Sequence, residues 1–306
     1  MQADSLTLNA ADGTPLHVYR WLPDGEPVAV VQIAHGMAEH AGRYARFAQA
    51  LTDAGYAVYA EDHRGHGRTA APDEVGYFAD RDGFDLVVGD LGTVDAKARQ
   101  EHPGLPVFLF GHSMGSFLSR AYLQRPHQPL AGVVLSGTGG DPGLLGRVGG
   151  VIAIVQGKVR GRRHRSGLMN TLTFGQYNAG FKPNRTDFDW LSRDPAEVDK
   201  YIADPDAGQV FTAGFYSDLL GGLADIHRDG KVARTPQDLP ILLMSGDQDP
   251  VGANGKGVGQ VAEQLRRAGV REVSVTLYPG GRHEMLNETN RDEVTADVIA
   301  WLDAHR

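Results

Sequence analysis

The sequence predicts an α/β protein built on one eight-stranded, mostly parallel sheet with helices on both faces. Short apolar runs alternate with amphipathic stretches along most of the 306 residues. The later runs are apolar almost throughout, as expected for strands that are buried on both faces of a parallel sheet. Such alternation favours a doubly wound α/β architecture. The length suits one large domain, or a core that carries an inserted subdomain.

Each strand of this sheet can be placed from its own apolar run. Strands are predicted over 5–10, 16–22, 28–36, 56–63, 107–111, 131–137, 239–246 and 273–280. The first two flank Ala11-Asp12-Gly13, which is typical of a hairpin turn. Amphipathic patterns predict helices over 42–53, 84–100, 114–125, 256–268 and 291–304.

The alternation of strands and helices stops between residues 141 and 222. An interval of that length between two strands exceeds what a connection needs, so it predicts a cap inserted into a core formed by 1–140 and 223–306. The cap begins with the apolar stretch 144–157 and continues into the basic stretch 158–165. This pair suits transient contact with a lipid surface. A lid helix packed on the core, followed by a solvated basic loop, is the alternative, and the sequence leaves both open.

Composition limits the classes of function. The net charge is −8, which gives no support to nucleic-acid binding because that would require a basic face. There is no cysteine, which excludes disulfides, a thiol nucleophile and thiolate metal sites. The N-terminal residues lack the pattern of a signal peptide, and no apolar run is long enough for a membrane span. A cytoplasmic protein is therefore expected.

The segment Gly111-His112-Ser113-Met114-Gly115 predicts a nucleophilic serine. It fits the pattern G-x-S-x-G, follows a predicted strand and precedes a predicted helix. A sharp turn at this junction would expose the Ser113 hydroxyl, and only small residues fit two positions before and after it. The helix N-terminus would also favour negative charge that develops beside the serine.

A serine nucleophile needs a general base, and the position of His283 favours it among the histidines that follow Ser113. His283 lies in a glycine-containing loop after the last strand, at the edge of the sheet where ligands bind in such folds. The acid that orients it should follow the seventh strand, where Asp247 and Asp249 are both available. Periodicity does not choose between them. Asp249 is favoured because Pro250 stiffens the chain directly after it.

Acyl transfer also requires an oxyanion hole made of backbone amides. One amide is expected from Met114, which follows the nucleophile, and the other from Met37 in the loop after the third strand. No cofactor is predicted. The stretch 257–262 matches a dinucleotide fingerprint, but it lies too far beyond its strand. His63 and His66 have no third metal ligand at a recognisable spacing, so no metal is predicted either.

Five blocks together resemble the monoacylglycerol lipase and lysophospholipase branch of the α/β-hydrolase superfamily. They are AHGMAEHAGRY (34–44), EDHRGHGRT (61–69), GHSMGS (111–116), GDQDPV (246–251) and HEMLNE (283–288). The resemblance spans nearly the whole chain. It implies an α/β-hydrolase fold, the triad Ser113, Asp249 and His283, and oxyanion donors at Met37 and Met114. It also resolves the choice between the two aspartates in favour of Asp249.

The resemblance further implies a serine hydrolase that cleaves carboxylic esters, monoacylglycerols first, through an acyl-enzyme. Glu39 and Arg43 occupy positions that lie near the glycerol head group in relatives of this branch. This sequence departs from some relatives at Leu286, where they carry a second histidine, and at Thr69, where serine is usual. Lysophospholipase or general carboxylesterase activity is therefore the alternative. An aminopeptidase and a non-catalytic binding module are less favoured.

Overall fold

The computed structural model describes residues 1–306 and contains the predicted eight-stranded sheet. The strands are β1 Gln2–Asn9, β2 Pro15–Leu22, β3 Ala29–Ala34, β4 Tyr56–Glu61, β5 Val107–His112, β6 Gly132–Ser136, β7 Ile241–Gly246 and β8 Val273–Tyr278. They are ordered β1-β2-β4-β3-β5-β6-β7-β8. β1 pairs with β2 and β2 with β4 in antiparallel fashion, and all the other pairs are parallel. The carboxyl ends of β3 and β5 to β8 therefore meet at one edge of the sheet.

Ten helices surround the sheet. They are α1 Ala45–Asp53, α2 Gly83–Glu101, α3 Met114–Leu123, α4 Gly143–Arg160, α5 Gly167–Phe174, α6 Pro195–Ala203, α7 Ala213–Ile226, α8 Asp229–Val232, α9 Lys256–Arg267 and α10 Arg291–Ala304. All five predicted core helices are present. The one predicted over 42–53 begins with a 3₁₀ turn at Ala41–Tyr44 before α1 starts. None of these helices is both long enough and apolar enough to cross a membrane.

Two apolar layers cover the two faces of the sheet, as the alternation along β5 illustrates. Phe108 and Phe110 join a cluster of 22 buried residues that includes side chains of α1 and α10. Leu109 points the other way, into a cluster of 33 buried residues that includes side chains of α2, α3 and α9. Both faces of the sheet are therefore buried, which explains why the central strands are apolar at almost every position.

The interval between β6 and β7 contains four longer helices, α4 to α7, and no strand. The predicted end of the cap at residue 222 lies inside α7, which continues to Ile226. The reason is physical: α7 is partly a core helix, since Phe215, Leu219 and Leu223 belong to the larger apolar cluster. The sequence shows only where the alternation of strands and helices resumes. It therefore cannot place a boundary correctly when one helix contributes to both the core and the predicted cap. The division into core and cap stays a prediction.

Candidate active site

The turn between β5 and α3 holds Ser113 in a strained backbone conformation. Its φ is 52° and its ψ is −118°, in a region that residues with a side chain rarely adopt. A Cβ at Gly115 would collide with the carbonyl oxygen of Ala34, and a Cβ at Gly111 would lie 2.6 Å from the carbonyl oxygen of Gly115. The two glycines are therefore required because backbone passes on both sides of the turn. The predicted strand, turn and helix are present.

The loops after β7 and β8 bring Asp249 and His283 into direct contact. His283 Nδ1 lies 3.0 Å from each carboxylate oxygen of Asp249. Asp249 is fully buried and also accepts hydrogen bonds from the Ser245 hydroxyl (3.0 Å) and the Val251 amide (2.9 Å). Asp247 instead accepts the Gly280 amide at 2.8 Å. The structure thus pairs His283 with Asp249 and uses Asp247 to connect two loops.

The charge of Asp249 controls the basicity of His283. Burial alone would lower the pKa of His283, but the charge and the hydrogen bond of Asp249 outweigh it and raise the pKa above its ordinary value. His112 lies beside it, with ring centroids 4.7 Å apart. Burial, with the neighbouring His283, lowers the pKa of His112 to about 4. His112 is therefore neutral where His283 titrates.

Ser113 and His283 border the same cleft. The Ser113 hydroxyl makes no hydrogen bond to His283 or to any other protein group in this structure. Catalytic hydrogen bonds are often long without substrate and tighten in the complex. The cleft is lined mainly by apolar and aromatic side chains from both the core and the cap.

Two backbone amides at the floor of the cleft have the properties of an oxyanion hole. Met37 and Met114 both line the cleft, and neither amide has a hydrogen-bond acceptor within the protein. Ala38, next to Met37, has a φ of 59°, so this loop is strained. Its carbonyl accepts hydrogen bonds from the Tyr201 hydroxyl and the Gly208 amide, both at 2.9 Å. Two cap residues thus hold the loop that carries Met37.

The Glu39 carboxylate, expected near substrate, is occupied by protein donors. One oxygen accepts the Gly36 amide at 2.5 Å and the Tyr44 hydroxyl at 2.9 Å, while the other accepts from Arg43 at 2.6 Å. Glu39 is buried, although it borders the cleft. Its contacts place it beneath the loop of Met37, so it supports the geometry of that loop.

Glu284 was not identified from the sequence, yet it binds Arg43 through two hydrogen bonds of 2.7 Å. Burial raises the pKa of the Glu284 carboxyl, but the Arg43 charge outweighs this and lowers it to about 2. Glu39, Arg43 and Glu284 therefore form one buried ionic cluster at the polar end of the cleft. Arg43 and Glu284 are 241 positions apart. The only sequence signal was that Glu284 directly follows the predicted base.

Leu286, which replaces the histidine of some relatives, lines a separate small cavity beside this cluster. Arg43 and Asn287 line the same cavity, and Asn287 donates to Glu284 at 2.8 Å. Glu39, His112 and Glu284 border both this cavity and the cleft, whereas Arg43 and Asn287 line the cavity alone, and no second histidine follows His283 at this position. This is a local difference from the pattern that the resemblance implies.

Helix α4 leaves most of its apolar surface in solvent. Leu144, Leu145 and Val159 are 76%, 85% and 78% exposed, and Ala153 is the only buried residue of the helix. Lys158 and Arg160 lie in its last turn, and Arg162 and Arg163 follow. The opposite side of α4 packs on α7 through Ile152 and Ala153, so a lid helix packed on the core and a lipid-docking surface both remain predictions.

His63, His66 and the stretch 257–262 were considered in the sequence as metal and dinucleotide sites and rejected, and the structure shows where they lie. His63 and His66 are buried beneath the loop of Met37, together with His35. His63 donates its amide to His35 Nε2 at 2.9 Å. Residues 257–262 form the first half of α9, which starts ten positions after β7 ends.

Comparison with known proteins places this site in a family. The model of the family described as serine aminopeptidase, S33, matches residues 25–290. The chain is 34% identical to a monoacylglycerol lipase of Mycolicibacterium smegmatis, covering 93% of this chain and 91% of that protein. It is 30% identical to the human monoglyceride lipase, covering 94% of this chain and 86% of that one.

A solved structure agrees with these relatives in fold. A thermostable carboxyl esterase from Bacillus coagulans, solved in complex with glycerol, superposes with a TM-score of 0.91. It is 29% identical to this chain, and the match covers 100% of this chain and 99% of the other. The match therefore includes the residues between β6 and β7.

Proposed function

We propose that this chain, which belongs to the α/β-hydrolase family described as serine aminopeptidase, S33, is a carboxylic ester hydrolase that cleaves monoacylglycerols through an acyl-enzyme. One observation carries the proposal. The buried Asp249–His283 pair lies at the edge of an apolar cleft that Ser113 also borders. A base, its orienting carboxylate and a strained serine at one cleft are the parts that acyl transfer requires.

The proposed reaction proceeds in two halves. The Ser113 hydroxyl attacks the acyl carbon while its proton moves to His283 Nε2, and the Met37 and Met114 amides stabilise the oxyanion. His283 then protonates the leaving alcohol as the carbon–oxygen bond breaks. A water molecule, deprotonated by His283, attacks the acyl-enzyme, and its collapse returns the proton to Ser113 and releases a fatty acid. Asp249 stays ionised and orients the imidazole throughout.

The shape of the cleft supports a substrate with one long apolar part and one small polar part. Its cap-side wall includes Phe174, Tyr216, Leu219 and Leu220, which suits an acyl chain. Burying that chain contributes about 25 cal/mol per Å² of apolar surface. Glu39 and Glu284 also border the cleft, and their ionic cluster with Arg43 supplies the polar surface that suits the hydroxyls of glycerol. The relatives named monoacylglycerol lipase and the glycerol complex agree with this assignment.

A substrate panel tests the proposal. Wild-type protein should release decanoate from 1-decanoylglycerol and prefer p-nitrophenyl decanoate to p-nitrophenyl acetate. Ser113→Ala should remove turnover and labelling by a fluorophosphonate probe while leaving the unfolding temperature unchanged, because it deletes one oxygen atom at a partly exposed site. Ser5→Ala, at an exposed serine of β1, is the control and should keep the label.

Other activities of the same machinery are outcomes of this panel. Preference for lysophosphatidylcholine over the monoacylglycerol would assign a lysophospholipase, and preference for acetate would assign a short-chain carboxylesterase. Release of naphthylamine from proline naphthylamide would assign an aminopeptidase. A protein that hydrolyses none of these and takes no label at Ser113 would be a binding module.

We propose in addition that α4 docks transiently on a lipid surface, in a cytoplasmic setting. The support is its exposed apolar side chains next to a basic edge. Leu144→Ser combined with Leu145→Ser should reduce co-sedimentation with vesicles that contain anionic lipid. Ile202→Ser, which also replaces an exposed apolar side chain by serine but lies on α6, is the control. Equal binding by all three proteins would contradict the docking.

A further inference from the structure

The indole of Trp190 is part of the wall of the catalytic cleft. It lines the same cleft as Ser113 and His283, and its ring centroid lies 5.0 Å from that of the His283 imidazole. Only 4% of the side chain is exposed. Trp190 therefore contacts the residue proposed to give a proton to the leaving alcohol.

The indole N–H of Trp190 has no hydrogen-bond acceptor in the protein, although the atom is buried. Buried tryptophan N–H groups usually find a partner, because an unsatisfied buried donor costs about 1–3 kcal/mol. A donor that the fold leaves unpaired at a substrate cleft is the kind of group that a ligand can satisfy. The acceptor is then expected on the substrate.

The backbone around Trp190 fixes the position of its ring. The Trp190 carbonyl accepts the His283 amide at 3.3 Å, and the Leu191 carbonyl accepts the Glu284 amide at 2.8 Å. Arg282 donates to the carbonyl oxygens of Asp189 and Ser192. This segment of the cap, Asp189–Ser192, is therefore bound along the loop of the catalytic histidine.

The ring itself is also held by aromatic neighbours. Phe174 stacks on it at 5.8 Å and 28°, and Tyr177 contacts it at 5.0 Å. An indole fixed on its backbone and between rings loses little further side-chain entropy on binding, which favours a selective hydrogen bond once a substrate displaces the atoms that cover its N–H.

We propose that Trp190 Nε1–H donates a hydrogen bond to a free hydroxyl oxygen on the alcohol part of the substrate. This inference rests on the proposed function and deepens it. The alcohol side is chosen because the indole packs against His283, which faces the leaving oxygen. The consequence is selectivity: the site takes esters of polyols, such as glycerol, over esters of simple alkyl alcohols that share the same acyl chain.

Two substrates with one acyl chain test this. We would measure kcat/KM for 1-decanoylglycerol and for methyl decanoate with wild type, Trp190→Phe and the remote control Trp301→Phe, whose ring packs on Phe108. Trp190→Phe should lose about five- to tenfold on decanoylglycerol, the value of one neutral hydrogen bond, and less than about twofold on methyl decanoate. Trp301→Phe should leave kcat/KM unchanged for both esters.

A second replacement guards against a packing effect. Benzothienylalanine at position 190 keeps a bicyclic ring and replaces the N–H by sulfur, so it should reproduce the selective loss. The midpoint of the pH–rate profile should stay unchanged in both variants, because the Asp249–His283 pair is intact. Equal losses on both esters, or no loss on either, would overturn the proposal for Trp190 while the lipase assignment stands. Wild-type protein that leaves decanoylglycerol intact would instead remove the proposed function, and this inference with it.

Discussion

At the scale of single residues, the chemistry depends on how Asp249 is held. Its carboxylate is fully buried, and it receives two hydrogen bonds from its own loop in addition to the imidazole of His283. A buried carboxylate is stable as an anion only when it is paired and hydrogen-bonded. The loop after β7 meets that condition before any substrate binds.

The first prediction concerns pH. Only neutral His283 can take the proton of Ser113, and Asp249 raises the pKa of His283 above its ordinary 6.5. The rate should therefore be lost as pH falls through that raised pKa, with a midpoint of kcat/KM above 6.5. His112 adds no second inflection to the pH–rate profile near neutral pH, because its pKa is about 4. Initial rates between pH 5 and 9 measure this, and a flat profile would argue against His283.

The second prediction removes the charge of Asp249. In Asp249→Asn the burial that lowers the pKa of His283 is offset only by the charges of Glu284 and Glu39, so the midpoint should move to lower pH. The rate should fall by about 10⁴-fold, since the imidazole loses its orientation and its counter-charge. Asp247→Asn is the matched control, because Asp247 bonds the Gly280 amide, and it should keep most of the activity. Equal losses in the two variants would contradict the assignment of Asp249.

At the scale of elements, most of the fold follows from local pattern. The predicted strand 28–36 ends at Ala34 and the strand 56–63 ends at Glu61, because the chain turns there into the loops that form the site. His35, Gly36, Asp62 and His63 are buried like the strands although they lie beyond them, and the predicted strands therefore run two residues too far. The turn at Ser113 was predictable because steric demand on two glycines is a local property.

The third prediction compares two glycines. Gly115→Ala should abolish folding or activity, because its Cβ would overlap the carbonyl of Ala34 on the neighbouring strand β3. Gly89→Ala lies in the middle of α2 with nothing within 4 Å of the new methyl group. It should raise the free energy of unfolding by about 0.5–1 kcal/mol through helix propensity alone. Thermal unfolding and ester turnover measure both. A folded, active Gly115→Ala protein would show that the turn is looser than described.

At the scale of the whole molecule, the site depends on contacts that no local pattern encodes. Glu284 meets Arg43 across 241 positions, and Tyr201 holds the Ala38 carbonyl across 163. The unpaired N–H of Trp190 is likewise visible only once the cap lies on the loop of His283. The triad was predicted from the order of serine, aspartate and histidine along the chain together with the family resemblance, whereas these supporting groups required the packing of residues 141–222 against the rest of the chain.

The cap itself consists of two parts that differ in how they are held, and this gives the last prediction. The segment Asp189–Ser192 is hydrogen-bonded to the catalytic loop, whereas α4 has a single buried residue and exposes most of its apolar side chains. Few buried contacts mean a low free energy of local opening. Amides of α4 should therefore exchange with deuterium orders of magnitude faster than those of β5, which is buried at every position.

The amides of Trp190 and Leu191 should exchange at an intermediate rate, because they donate to Asn178 Oδ1 and to the Phe188 carbonyl in a segment that the loop of His283 holds in place. Mass spectrometry of peptides from exchanged protein measures all three regions, and vesicles should slow exchange in α4 alone if that helix docks on lipid. Exchange of α4 as slow as that of β5 in free protein would mean that its apolar side is covered in solution, for example by a second copy of the chain.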